Sequence, residues 1–303
     1  MSAIMQETIK VRKLETMGRP LDKAANSYLV NIAGYTLLID GGSGPPLELR
    51  EEKVDYVLLT HWHWDHVLSI VRMPLQARVC ASERTIKYIS ESAPSYEGYG
   101  ALVKAFSRVP PELLSIAKAS FSNTSEILRF FSARKDWLIK LSDCEPVRLS
   151  LVKVISCPGH SDDHVCYIVD DHAFVGDSVN PGEGLTLLSV PDYISSIMTL
   201  MADNSWRVAH PGHGPDIDRN EASSWASELI RGKIGKLLKL RSSLSPEWRP
   251  LEEYLDMLYP EAGPVAKWIG ARSLLGYAFS LEQLGMAELK TDSSPWMIRA
   301  KGS

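Results

Sequence analysis

The stretch Leu59-Thr60-His61-Trp62-His63-Trp64-Asp65-His66 constrains this 303-residue chain more than any other. It closes an apolar run, Val54 to Thr60, that reads as a buried strand, and it offers four metal-ligating side chains within six positions. On an extended backbone alternate side chains project to the same side, so His61 and His63 can point into one pocket. The turn that follows swings Asp65 and His66 toward an adjacent pocket, while Trp62 and Trp64 face away and wedge the loop against the core. A lone histidine is more often a satisfied core or surface residue than a ligand. Three histidines and an aspartate at one strand end are different, because each needs a partner if buried. Four ligands exceed what one mononuclear site needs, and the spacing predicts two metals side by side, completed by residues from later in the chain.

Composition narrows the setting. Hydrophobic residues at 45% and charged residues at 23% are those of an ordinary globular protein. A net charge of −4 argues against a protein dominated by nonspecific nucleic-acid or anionic-membrane binding. No apolar run approaches the ~20 residues that a membrane helix needs, and Met1 to Lys13 lacks the apolar core of a signal peptide. Cys80, Cys144, Cys157 and Cys166 are scattered without a CxxC pair, so neither a disulfide framework nor a zinc knuckle is expected, and a cytoplasmic location is the default.

Residues 26–41 hold two apolar runs flanking Ala33-Gly34, a hairpin signal, and the second run ends in Asp40-Gly41-Gly42. Asp40 is either a turn residue or a partner that orients a ligand histidine. Val67 to Met73 reads as a helix ending before Pro74, Ala77 to Ala81 as a strand, and Ser82 as the cap of a helix over Thr85 to Ser90. From residue 94 to 141, Tyr96, Tyr99, Leu102, Phe106, Leu113, Ile116, Ile127 and Phe131 suggest two or three amphipathic helices broken at Pro110-Pro111 and Asn123. This insertion is placed to form a lid or substrate wall. Val147 to Ile155 alternates like a strand and runs into Pro158-Gly159-His160. Val165 to Val169 and Ala173 to Val175 form a hairpin ending in Gly176-Asp177. Pro191 to Ala202 reads as a helix, and a strand from Trp206 to Ala209 ends in His210-Pro211-Gly212-His213.

The phrase Thr60-His61-Trp62-His63-Trp64-Asp65-His66 resembles the HxHxDH signature of the metallo-β-lactamase superfamily, and the later strand-end phrases follow in that superfamily's order over roughly residues 8–218. The resemblance implies an α/β fold, a four-layer αββα sandwich spanning residues 1–218. It implies that His61, His63 and His160 hold one metal, that Asp65, His66 and His213 hold a second, and that Asp177 bridges them. His210 is then structural. Asp40 is implied as a partner of a ligand histidine, by analogy with a Leu-Ile-Asp-x-Gly strand end. His164 supports His160, touches substrate, or is a satisfied structural residue. Residues 219–303 carry helical patterns over 219–240, 251–258, 264–272 and 274–285, then two short strand patterns, Met286 to Lys290 and Trp296 to Arg299. This resembles the small winged-helix domain that follows some members of the superfamily, endoribonuclease-like ones included.

Nitrogen and carboxylate ligands without thiolate suit two zinc ions, with iron or manganese as alternatives. Such a pair activates water for attack on a carbonyl carbon or a phosphorus, with Asp65 also acting on the nucleophile as the catalytic residue. Class B β-lactamases lack the bridging aspartate, flavodiiron proteins place glutamate where His63 stands, and the homoserine-lactone lactonases usually have tyrosine where this chain has Asn180. The reading favoured is a hydrolase of a small thioester or ester, because Pro158-Gly159-His160 and His164-Val165-Cys166-Tyr167 resemble phrases of glyoxalase II. A ribonuclease acting on single-stranded RNA is the alternative. It would draw on the basic run Arg231, Lys233, Lys236, Lys239 and Arg241, which is otherwise a solvated helix face. A non-catalytic metal-binding protein is disfavoured by the full ligand set, and a homodimer is left open.

Overall fold

Hydrophobic alternation along the strands decides the architecture. The computed structural model describes residues 9–14, 25–42, 44, 49, 52–73, 75–94, 98–107, 111–181, 186–261 and 263–302. In the first sheet β1 (Lys10–Leu14), β2 (Ser27–Ile32), β3 (Tyr35–Ile39), β4 (Tyr56–Leu58), β5 (Arg78–Ala81) and β6 (Leu138–Lys140) lie in chain order. The strands β1 to β3 pair antiparallel, and β3 to β6 pair parallel. The second sheet has the order β11 (Ile217–Asp218), β10 (Val208–Pro211), β9 (His172–Gly176), β8 (Val165–Val169) and β7 (Lys153–Ser156).

Tyr28, Val30, Leu37, Ile39 and Leu58 of the first sheet meet Val165, Tyr167, Val169 and Phe174 of the second in one buried cluster. Their neighbours along each strand point the other way. Leu29, Leu38, Val57 and Val79 pack under α1 (Trp64–Arg72), α2 (Glu83–Ser90) and α4 (Pro111–Ser132). Cys166, Ile168, Ala173 and Val175 pack under α6 (Val190–Ala202), α7 (Arg219–Ser243) and α9 (Pro264–Gln283). A strand buried on both faces reads as continuous apolar sequence, as Val165 to Val169 does. Each fully buried Val, Leu or Ile contributes about 1.5–3 kcal/mol relative to exposure. The result is the αββα sandwich.

Local chemistry sets the element ends. Ala33 and Gly34 both take positive φ in a two-residue turn between β2 and β3. Ser82 caps α2 by accepting from Thr85 N, and Asp218 opens α7 with a capping box completed by Glu221. The short helix α3 (Gly98–Ala105) reaches α9, and Ser107 is tied to Glu252 at 2.6 Å. After α7 come a 3-10 turn, α8 (Leu255–Leu258), α9 and a small sheet of β12 (Arg249–Pro250), β14 (Met297–Ala300) and β13 (Ala287–Lys290). Among the described residues no helix is long and apolar enough to cross a membrane.

Four local expectations are corrected. Helix α4 runs unbroken through Asn123, because Ile127 and Phe131 continue its buried stripe and one asparagine costs a helix only tenths of a kcal/mol. Val147 sits in the short helix α5 (Glu145–Arg148), and the strand starts only at Lys153. The expected break near Ser273 is absent, so α9 is one helix. Cys80 and Cys144 are joined by a disulfide with their Cα atoms 5.9 Å apart, where a chain without disulfides was expected. They are 64 residues apart, and parallel pairing of β6 on β5 followed by a 3-10 turn brings Cys144 back beside Cys80. Pro74, Tyr96 and Pro110 lie outside the described residues, as do the side chains of Tyr99, Leu113 and Ile116.

Replacing Cys80 and Cys144 together by alanine should lower the unfolding free energy by about 2–4 kcal/mol in a urea titration, and reductant should shift the parent protein alike. Unchanged curves in both arms would show that the two thiols are not joined in solution.

Candidate metal centre

Every candidate ligand leaves the end of a strand at one edge of the sandwich. His61 and His63 follow β4, and Asp65 and His66 occupy the first turn of α1. His160 stands in the loop after β7, Asp177 directly after β9, and His213 two residues beyond β10. Two backbone bonds tie these ends together: Val165 N donates to Thr60 O at 2.9 Å across the two sheets, and Gly212 N to Gly176 O at 2.7 Å within the second.

The side chains converge as two groups, His61, His63, His160 and Asp177 in one and Asp65, His66 and His213 in the other. His63 Nδ1 lies 2.9 Å from His61 Nε2 and 3.0 Å from His160 Nε2. Asp177 divides its carboxylate between the groups. Its Oδ2 is 3.2 Å from His160 Nε2, while its Oδ1 is 3.4 Å from His66 Nε2 and 3.6 Å from His213 Nε2. Asp65 Oδ2 lies 3.4 Å from His213 Nε2.

Hydrogen bonds on the far side of the rings fix which nitrogen faces inward. His160 Nδ1 donates to Thr186 O at 2.8 Å; a carbonyl only accepts, so Nε2 presents a lone pair to the centre. Thr60 Oγ1 gives its proton to Asp40 Oδ2 at 2.7 Å and so accepts from His61 Nδ1 at 3.0 Å, which leaves His61 Nε2 as a second inward lone pair. Both lone pairs aim at His63 Nδ1, which carries at most one proton. In the other group His66 Nδ1 donates to Asp40 Oδ2 at 2.8 Å, while His66 Nε2 and Asp177 Oδ1 are buried without a hydrogen-bond partner. Crowded acceptors and orphaned buried atoms of this kind suit cations, and nitrogen with carboxylate oxygen is a donor set for zinc and its neighbours.

Asp40 receives Thr60 N at 2.8 Å as well, so one buried carboxylate orients both His61, through Thr60, and His66 directly. His164 does not reach His160 by a hydrogen bond. Its Nε2 accepts from Asp177 N at 3.0 Å, behind the shared carboxylate. His210 stays out of both groups and contacts His172 at 2.8 Å and Asp216 at 3.2 Å. Gly212 is required by close approach, since a Cβ there would collide with Asp177 Oδ1 and come within 2.8 Å of His66.

Sequence reasoning passed over Asp163, Thr186 and Arg272. Asp163 accepts from Trp62 N at 2.9 Å, Thr85 Oγ1 at 2.7 Å and Ser161 Oγ at 2.6 Å, which joins the first ligand loop to the His160 loop. The Ser161-Asp162-Asp163 run was its only trace.

Electrostatics differ between the halves. Burial drives His61 far down and His63 to about 4, the charges of His66 and His63 adding to the first effect and Arg272 to the second. Burial also opposes charge on His66, but Asp40 and Asp177 outweigh it and raise its proton affinity well above the ordinary range; Asp177 and Asp65 do the same, less strongly, for His213. Burial disfavours ionised Asp65 and Asp177, yet the surrounding histidines hold both below the usual carboxylate range.

Known proteins share this framework. The chain is 25% identical over 210 residues to the lactamase-like protein aptB of Emericella nidulans, covering 65% of this chain and 53% of aptB. It is 25% identical over 206 residues to the thioesterase pkgB of the same fungus, covering 64% of this chain and 47% of pkgB. It is 26% identical over 223 residues to an atrochrysone carboxyl ACP thioesterase of Aspergillus terreus, covering 69% of this chain and 56% of that protein. The chain thus spans about half the length of these curated relatives. Among solved structures, a metallo-beta-lactamase family protein from Thermus thermophilus has a TM-score of 0.64 at 19% identity, over 96% of this chain and 98% of that one. A beta-lactamase domain protein from Burkholderia ambifaria has the same score at 14% identity, over 96% and 91%. The sequence model of the metallo-beta-lactamase superfamily matches residues 21–231, the span that supplies both sheets except β1 and all seven clustered side chains, and the chain belongs to that superfamily.

Proposed function

We propose that the chain hydrolyses a small thioester at a centre for two divalent metal ions, most simply zinc. The observation that carries the reading is the division of Asp177, with one oxygen toward His160 and the other toward His66 and His213. His61, His63 and His160 would hold one ion, Asp65, His66 and His213 the other, and Asp177 both. Two related proteins bear the name thioesterase, which supports a thioester over an ordinary ester.

Bound there, the two ions supply an activated water and Lewis acidity toward a carbonyl oxygen. The chain's residues do the rest. Asp65, kept ionised beside His213, receives the proton released as the water oxygen bonds to the carbonyl carbon. The carbon–sulfur bond then breaks, and Asp65 returns that proton to the departing thiolate. Asp40 and Thr186 keep the histidine rings from turning, and Trp62, buried beside His63, shields the loop from water.

An RNA-cleaving reading, with residues 219–303 as a winged-helix domain and β13–β14 as its wing, has less support. The basic run does not form one exposed face. Lys233 is largely buried and depressed to about 8 by desolvation, Lys236 lies over the Tyr259 ring, and Lys239 donates to Met257 O.

Asp177→Ala should abolish hydrolysis and reduce bound metal while the circular dichroism spectrum stays native; normal turnover with normal metal content would sink the assignment. A panel of thioester, lactone, phosphodiester and short RNA substrates, with and without chelator, tests the substrate class, and thioesters alone should be turned over.

Asp40→Asn should weaken metal binding about 10–100-fold, as loss of partners behind ligand histidines does elsewhere. Acid should empty the two halves in sequence. His66 and His213 have raised proton affinities, so protons compete with metal there from a higher pH; His63, depressed to about 4, stays neutral far lower. Metal content measured after dialysis from pH 7 downward should therefore fall first from two equivalents to one, and site-selective cobalt spectra should show the histidine-rich half retained. Simultaneous loss, or the reverse order, would contradict this account.

A further inference from the structure

Helix α9 turns Arg272, Gly276, Ser280 and Gln283 to one face at helical spacing. Gly276 lies directly on the backbone of Leu187, so that a Cβ at this position would run into the Leu187 carbonyl. One turn later Ser280 Oγ accepts from Val190 N at 2.8 Å. Gln283 then accepts from Ser189 Oγ at 2.7 Å and donates to Asp192 Oδ1 at 3.0 Å. Successive turns of α9 thus clamp the segment 187–192.

The other side of that segment rests on the His160 loop. Leu188 N and Ser189 N both donate to Gly159 O, at 2.7 and 3.0 Å, and Thr186 O accepts from His160 Nδ1 at 2.8 Å. The carbonyl that fixes the orientation of His160 is therefore one residue from the point where α9 presses on the backbone. Glycine is required at this point of the helix by close approach, since any Cβ at position 276 would meet the Leu187 carbonyl.

We infer that Gly276 is a positioning residue for the metal centre: by admitting the Leu187 backbone, α9 holds Thr186 O against His160 Nδ1 and so aims His160 Nε2 at the metal. The inference rests on His61, His63 and His160 being ligands of one ion, and not on thioester chemistry. A side chain at position 276 pushes Leu187 away, withdraws Thr186 O and frees the imidazole to rotate or change tautomer. Ligand geometry is lost at one metal only, because the side-chain hydrogen bonds and ion pairs of Asp65, His66 and His213 run to other segments.

The test uses the full chain with zinc alone, titrated against a chromogenic chelator, in the parent protein and in Gly276→Ala, Ser280→Ala and Gly235→Ala. Gly235 is a helical glycine with open space around it and serves as control. Gly276→Ala should weaken one of the two zinc equivalents by about 10–100-fold, the range for lost partners of ligand histidines, and leave the other unchanged. Ser280→Ala should weaken the same equivalent less, and Gly235→Ala neither. A second reading needs no metal: in long-range proton–nitrogen spectra of the metal-free chain, the His160 Nδ1–H signal should be protected in the parent and lost or split in Gly276→Ala. A folded Gly276→Ala protein with parental affinity for both ions and an intact His160 signal overturns the inference. Should Gly276→Ala not fold, Ser280→Ala decides by the same two readings. Should the chain take up no zinc, the ligand assignment fails, while the imidazole signal still decides the contact.

Discussion

Lone pairs brought within about 3 Å of one another are the constraint that the rest of this structure serves. His61 Nε2 and His160 Nε2 both face His63 Nδ1, and Asp177 Oδ1 faces His66 and His213 across more than 3 Å without a hydrogen bond. Each buried polar atom left unsatisfied costs about 1–3 kcal/mol, and a whole domain is stable by only about 5–15 kcal/mol. A fold that concentrates so many such atoms must either be compensated by cations or surrender much of its stability. Cations held by these atoms would link metal binding to folding, since the same side chains that would ligate them burden the fold without them.

The sandwich meets this constraint by building the centre from strand ends, where the backbone is already satisfied by ladder bonds. Asp40, at the end of β3, serves two ligand histidines from one carboxylate, and Asp163 joins the first ligand loop to the His160 loop. Glycine at 212 lets His66 and Asp177 come together where any side chain would hold them apart. Rigidity therefore arises from the partners behind the ligands, each anchored in a different layer.

How much of this was legible depended on whether the signal was local. Strand periodicity is a property of a few adjacent residues, so most strands of the two sheets and the opening cluster His61, His63, Asp65 and His66 could be read from the chain, whereas His160, Asp177 and His213 were singled out only through the resemblance to the superfamily. The role of Asp40 needed an analogy, because an Asp before Gly-Gly is equally a turn residue. The disulfide between Cys80 and Cys144 was not legible, since only the pairing of β5 with β6 brings together residues 64 positions apart. Asn123 and Ser273 looked like helix ends because their propensities are weak. Burial of Ile127 and Phe131 in one case, and of Leu274 and Leu275 in the other, overrides a local preference worth only tenths of a kcal/mol. For His164 the sequence left three roles open, support of His160, contact with substrate or a structural place, and its Nε2 accepts the Asp177 amide, a contact set by the turn after β9 that no local signal announces.

The C-terminal helices resolve a division of labour that the motifs alone conceal. Strand ends bring the ligands to one edge, but a ligand's direction is set by what lies behind it, and for His160 that is a segment gripped by α9. The same face of α9 carries Arg272, whose charge assists burial in keeping His63 free of a proton. One helix thus acts on two ligands of the same half, through packing on His160 and through charge on His63, while the half containing Asp65 and His213 is left to the acidic residues around it. This asymmetry matches the electrostatics. On the α9-supported side burial lowers the proton affinity of His61 and His63, whereas on the other side Asp40, Asp177 and Asp65 raise that of His66 and His213.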